Sequence, residues 1–140
     1  MAEQLEVSAS WMGGYMSRVC ARGHEIVIDE PSSAGGSDGG MMPTEAFCAS
    51  IAACFCLALA HVAGKRGREL PGLHVVVRAQ RAGRELRYAR FEIEAQADVA
   101  EEVLGNLIEP ARRVCWVSNT LASGVQLSYR YTRVDGHTRR

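Results

Sequence analysis

Five cysteines, at positions 20, 48, 54, 56 and 115, are the residues best able to do chemistry in this 140-residue chain. Their number is odd, their spacing irregular, and no Cys-x-x-Cys pair occurs, which argues against an extracellular disulfide framework and against a zinc module. Cys54 lies in the apolar run Ala52-Ala53-Cys54-Phe55-Cys56. Two helical positions separate Cys54 from Cys56, about 200° around the axis, so these two cannot converge on one metal or bond each other. Cys115 falls where a short helix should begin, just after Arg112 and Arg113. A helix N-terminus and nearby guanidinium groups both favour a thiolate, which makes a thiol reactive. Cys20, Cys48 and Cys56 read as small buried hydrophobes, and packing alone stays an open reading for Cys54 and Cys115 as well. His61 follows Cys54 by seven residues, on the same helix face but about 10 Å along the axis. It is too far for direct proton transfer and reads as a core or interface histidine.

These residues need elements to hold them. Residues 5–11 alternate, with Val7, Ala9 and Trp11 on one face, and predict a strand. Met12-Gly13-Gly14 turns into a second strand at 15–21, and Arg22-Gly23 into a third at 24–29, giving an antiparallel meander. A loop at 30–42 carries Pro31 and the pairs Gly35-Gly36 and Gly39-Gly40, thirteen residues of the kind that compact domains keep for function. It resembles a phosphate cradle only superficially, because it lacks the P-loop lysine and glycine spacing.

Pro43 suits the first turn of a helix, with Glu45 near its positive end and Gly64 followed by Lys65 and Arg66 as its ending. Between residues 46 and 63 only Ser50 and His61 lie outside the apolar set. A bilayer needs roughly 20 strongly apolar residues, and this run is rich in alanine, so it predicts a soluble helix with no face for water. One small domain rarely surrounds a helix unaided, and packing against a second copy would do so. Residues 73–79 and 86–97 predict long strands joined by Arg81-Ala82-Gly83. Residues 100–113 predict a helix with Val103, Leu104, Leu107 and Ile108 inward, broken or kinked at Pro110. A short helix at 115–122 ends at Gly124, and 125–131 predicts a closing strand. The order β-β-β-α-β-β-α-α-β is α+β.

One domain spans 1–140: meander and glycine-rich loop at 1–42, central helix at 43–66, a β-β-α-α-β part at 72–134, and a polar tail at 135–140. Hydrophobic residues make up 47% and charged residues 23%, which excludes a disordered chain. Sixteen basic residues balance sixteen acidic ones, which speaks against nucleic acid or an anionic membrane as partner. Met1-Ala-Glu-Gln-Leu has neither charged leader nor apolar core, so the expected compartment is the cytoplasm.

The run Asp29-Glu30-Pro31, the loop Gly35-Gly36-Ser37-Asp38-Gly39-Gly40, Pro43-Thr44-Glu45 and Ala52-Ala53-Cys54 resemble the OsmC/Ohr family. Arg113-Val114-Cys115, Leu121 and Val125-Gln126-Leu127 resemble its second half, in the same order. The resemblance implies an OsmC-like fold, antiparallel sheets around a long central helix, in an intertwined homodimer. It implies reduction of organic hydroperoxides, with Cys54 as peroxidatic thiolate and Cys115 as the resolving thiol that closes a disulfide. No cofactor is implied beyond an external dithiol reductant, of the lipoyl type in the Ohr branch.

Three positions depart from the peroxidase branches. Thr44 follows Pro43 where those branches place glutamate, and Glu45 comes one residue later, as in the OsmC-like branch. The thiolate-activating arginine is Arg18 by its place near the first strand turn, with Arg22 as the alternative. Trp116 follows Cys115 where proline is common. The expected function is a cysteine-based organic hydroperoxide reductase acting on a small apolar hydroperoxide. The alternative is an OsmC-like binding or stress-associated protein without turnover.

Overall fold

A computed structural model describes residues 4–134. The opening residues 1–3, on which the leader reading partly rests, and the polar tail at 135–140 lie outside the described residues. Strands β1 (Ser8–Trp11), β2 (Ser17–Ala21) and β3 (His24–Ile28) form the expected antiparallel meander, in the order β1-β2-β3. Leu5 to Val7 stay outside β1, and the first turn is wider than expected, closed by Met12 N–H to the Met16 carbonyl at 2.9 Å. The second hairpin is tight. Arg22 and Gly23 both take positive φ, 52° and 82°, the two-residue geometry that matches strand twist.

The register places Ala9, Val19 and Ile26 side by side on one face, and Ser10, Arg18 and Val27 on the other. The apolar face is uncovered: Trp11 is 77% and Ile26 54% exposed. The meander makes no extensive contact with the helices or the second sheet.

The loop at 30–42 is more ordered than a structureless connection. It contains a 3-10 turn at Ser32–Ala34 and returns Met41 to bridge Ile28 in parallel. Asp29 organises it. This carboxylate is 1% exposed and accepts the backbone N–H of Glu30 at 2.8 Å, of Gly39 at 3.0 Å and of Ser37 at 3.2 Å. Those bonds, that from Gly39 foremost, hold its carboxyl below the ordinary value of 3.8 against the opposing effect of burial. The glycines serve close approach: a Cβ on Gly36 would strike the Glu30 carbonyl, and one on Gly40 the Val27 carbonyl.

Helix α1 (Pro43–Lys65) ends where expected, with Arg66 as its C-cap. Gly64 is still helical, and Gly67, at φ 66°, supplies the left-handed stop, with Arg68 N–H closing on the Ala63 carbonyl at 2.9 Å. Ile51, Phe55, Ala58, Leu59, Val62 and Ala63 form its buried stripe. Phe47 packs its ring on Phe91 at a centroid distance of 5.5 Å, while Leu57 is 71% exposed, so the chain covers this apolar helix on one side only. It is the one helix among the described residues long and apolar enough to cross a membrane, yet it packs on β4 (His74–Arg81), α2 (Glu101–Arg113) and α3 (Trp116–Ser123).

Strand β4 pairs with β5 (Tyr88–Gln96) antiparallel, matching Val75 to Ala95, Val77 to Ile93 and Ala79 to Phe91 on the face toward α1. The outer face is charged, with Arg78 bridging Glu92 at 3.2 Å and Glu94 at 3.0 Å. Helix α2 continues through Pro110 and does not break there. A proline there leaves the Asn106 carbonyl without its helical donor, and Arg66 donates to that carbonyl at 3.4 Å.

The closing strand is the main correction. Residues 124–134 form no strand and are exposed throughout, with Leu127 73% and Tyr131 98% exposed. Neither sheet of the chain takes this segment as a fourth or third strand, so the observed order is β-β-β-α-β-β-α-α.

Asp29→Asn tests the loop anchor. The amide would turn N–H groups toward donors, and we expect the melting midpoint at neutral pH to fall by about 5 °C. The folded carboxyl titrates below its unfolded value, so the Asp29 contribution is complete above about pH 4 and is lost as pH falls through the folded value. The gap between wild type and variant, measured by thermal melts, should close on acidification. A gap that widens toward acid would contradict this account.

Candidate active site

Cys54 and Cys115 come from elements far apart in sequence and meet at one seam. Cys54 lies in the middle of α1, partly buried, beside the core of Phe55, Ala58, Leu59, Leu107 and Ala111. Cys115 is a member of that core and 0% exposed, where it is the residue before α3 and adopts the extended backbone of a helix N-cap. The two thiols are free, and Cys54 packs against the core cluster that contains Cys115. The other three cysteines, Cys20, Cys48 and Cys56, are also free and partly buried.

The environment of Cys115 favours its thiolate. Burial alone would push this thiol up. The Ser118 hydroxyl, the backbone N–H groups of Ser118 and Val117, and the Cys54 thiol outweigh it, and the thiol is held below its ordinary value of 9.0. The neutral side chain makes no capping hydrogen bond, and the Ser118 hydroxyl meanwhile donates to the Cys115 carbonyl at 3.3 Å. Arg112 and Arg113, read from sequence as the tuning cations, are not what does this. Both are exposed, and Arg112 is paired with Glu109 at 2.8 Å. Ser118 is the neighbour of Cys115 that sequence reasoning missed; its place three residues after a helix-opening cysteine was the available signal.

The other two expected site residues lie elsewhere within the chain. Arg18 sits on the polar face of the meander, its Nε 3.2 Å from Glu25 Oε1, and Cys20 Sγ is 3.5 Å from the same oxygen. Arg22 occupies the hairpin turn. Glu45 accepts the Met42 backbone N–H at 2.8 Å, so it caps the start of α1. His61 is exposed on α1. Among the described residues no group of His, Cys, Asp and Glu is arranged to hold a metal ion.

Beside the cysteine pair, α1, β5 and α3 leave an open, mostly apolar groove of about 370 Å³. Ile51, one turn before Cys54, and Ser118 bound it, with Phe91, Ile93 and Leu121 along its walls. A larger hollow of about 480 Å³ on the outer side of α3, lined by Arg113, Trp116 and Asn119, includes neither cysteine.

No curated protein matches the sequence. Among solved structures, the chain is similar to the OsmC-like protein of Mycoplasma pneumoniae, with a TM-score of 0.73, 17% identity, and coverage of 87% of this chain and 89% of that one. It is similar to an organic hydroperoxide resistance protein OsmC of Legionella pneumophila, with a TM-score of 0.64, 23% identity, and coverage of 85% and 89%. It is also similar to an organic hydroperoxide resistance protein of Elizabethkingia anophelis, with a TM-score of 0.61, 26% identity, and coverage of 85% and 88%. The sequence pattern of the family described as OsmC-like protein matches residues 35–130, which include the glycine-rich loop, α1 with Cys54, and α3 with Cys115. With that match over most of its length and an α+β fold of antiparallel sheets and three helices, the chain belongs to the OsmC-like protein family.

Proposed function

We propose that this protein is a thiol-dependent peroxidase for organic hydroperoxides, acting in oxidative stress defence in a reducing cytoplasm. One observation carries the reading: Cys54 and Cys115 lie side by side, one partly accessible and one fully buried. The Cys54 thiolate attacks the terminal peroxide oxygen; the O–O bond breaks, and the alkoxide leaves and takes a proton to become the alcohol. Cys54 is then a sulfenic acid. The Cys115 thiolate attacks its sulfur, the S–O bond breaks, and hydroxide leaves as water with a proton. The product is a Cys54–Cys115 disulfide, which an external dithiol reopens. The groove lined by Ile51, Phe91 and Leu121 suits an alkyl tail better than a small polar peroxide.

A second reading has its own observation. Glu45 caps α1, and Arg18 is paired with Glu25, so within the chain neither is bonded to the cysteine pair. This favours an OsmC-like binding or stress-associated protein without turnover, unless a second copy completes the site. A homodimer supplies what the first reading needs. The bare side of α1, the apolar face of the meander and the extended segment at 124–134 are three unpartnered apolar surfaces of one chain. In the proposed dimer the two α1 helices pack together, and the 125–131 segment pairs with a strand edge of the other copy.

Three measurements test these readings. One equivalent of cumene hydroperoxide should produce a Cys54–Cys115 link visible by mass spectrometry, and Cys54→Ser should lower the reduction rate by at least about 1,000-fold. Thiol loss no faster than that of free cysteine would favour the non-catalytic reading. Light scattering should report a dimer at micromolar concentration, and Leu127→Lys should shift it toward monomer or aggregate; a stable soluble monomer of the wild type contradicts the proposed assembly. Arg18→Ala should slow alkylation of Cys54 at neutral pH by about tenfold, while Arg22→Ala leaves it unchanged. No effect of Arg18→Ala would remove that arginine from the site.

A further inference from the structure

Thr44 departs from the peroxidase branches, and the chemistry of the cysteine pair makes no use of it. It lines a hollow of about 280 Å³ where the first turn of α1 meets the turn joining β4 to β5, completed by Arg81, Leu86, Arg87 and Tyr88. The chain itself holds Arg81 in place there. Its Nε donates to the Glu85 carbonyl at 3.0 Å and its Nη2 to the Arg84 carbonyl at 3.1 Å. These acceptors are neutral, and among the described residues no carboxylate pairs with this guanidinium. Glu85, in the same turn, is engaged by Arg87 at 2.6 Å instead. Two of the five N–H groups of Arg81 are engaged by the carbonyls, which leaves Nη1 for a planar acceptor.

The hollow adjoins the apolar groove beside the cysteine pair. Thr44, Phe47 and Ile51 are spaced three and four residues apart and share one face of α1. Across from them on β5, the Tyr88 and Phe91 ring centroids are 6.0 Å apart, and those of Phe91 and Phe47 are 5.5 Å apart. Thr44 and Tyr88 line the hollow, Ile51 and Phe91 line the groove, and the aromatic rings bridge the two. Thr44 and Ile51 are about 10 Å apart along the helix axis. This face of α1 is not the one offered to a second copy. Ala53, nine residues after Thr44 and so about 180° around the axis, lies with Leu57 and Ala60 on the exposed side.

We propose that this seam binds a single-chain amphiphile with one carboxylate, its head on Arg81 and its tail along Phe47, Phe91 and Ile51. A carboxylate meets the flat edge of a guanidinium with two parallel hydrogen bonds, and a guanidinium already fixed loses little freedom on binding it. Thr44 permits this. A glutamate at that place, as in the peroxidase branches, would set a second carboxylate beside the head and repel it. The site does not depend on turnover: it serves a hydroperoxide that carries a carboxylate and equally a ligand that is only held.

The test is calorimetric titration of the full chain at neutral pH with decanoate, and with decanol as its uncharged counterpart. We expect decanoate to bind at least about tenfold tighter than decanol, through the charge-assisted pair with Arg81. Hexanoate, whose tail stops short of the groove, should bind at least about tenfold more weakly than decanoate. Arg81→Ala and Thr44→Glu should each weaken decanoate about tenfold and leave decanol unchanged, while Thr44→Ser binds as wild type. Decanoate should also shift the methyl NMR signals of Ile93 and Leu121, which line the groove. No binding of decanoate, the result if a second copy fills the groove, overturns the proposal. So does equal affinity for decanoate and decanol, or a decanoate affinity unchanged in either variant. If cumene hydroperoxide leaves the cysteines reduced while decanoate still binds through Arg81, the peroxidase reading falls and this site stands.

Discussion

The chain contains one helix that is apolar nearly all round, and its own fold can cover only one side of it. α2, α3 and β4 bury the stripe from Ile51 to Ala63, while Leu57 remains bare. Apolar area left in water carries a free-energy cost. Cys54 packs against the core that holds Cys115, near where the covered side meets α3. The partly buried thiol and the uncovered apolar surface therefore belong to the same helix.

The covered side is built by register. The inward residues of β4 and β5 alternate with charged outward ones, so the sheet offers one apolar face to α1 and a paired Arg78–Glu92–Glu94 face to solvent. Helix α2 continues although it contains proline, and Arg66, at the end of α1, gives the Asn106 carbonyl the donor that Pro110 lacks. That single bond ties the end of one helix to the middle of the next. It also holds in place the helix whose end delivers Cys115 to the core.

Around Cys115, neutral dipoles favour the thiolate where the sequence suggested cations. Guanidinium groups on exposed side chains are screened by water and drawn into pairs such as Arg112–Glu109 and Arg18–Glu25. Backbone N–H groups at a helix start cannot turn away, and in a dry seam their effect on a sulfur is larger than the same dipoles would have in water. The anchored loop follows the same logic. Asp29, buried, is held ionised by three N–H groups, and the glycines that follow let the backbone come close enough to donate them.

Much of this is local and was legible in residue order. The central helix from Pro43, the β4–β5 hairpin, the meander and the two later helices follow from alternation, 3.6-residue spacing, glycine and proline, all of which act over a few neighbouring residues. The α+β class and the OsmC-like resemblance, with Cys54 and Cys115 as its marks, were legible for the same reason. Tertiary structure decided the rest. Residues 125–131 alternate like a strand, but a strand needs a partner edge, and among the described residues the segment pairs with neither sheet. Pro110 reads as a breaker until Arg66 arrives from forty positions away in sequence. Glu45 and Arg18 could be nominated by position, yet capping geometry and the strand register set where their charges are engaged. Which sulfur is buried, and which dipoles face it, depends on how three helices pack, and no local pattern in the sequence encodes that.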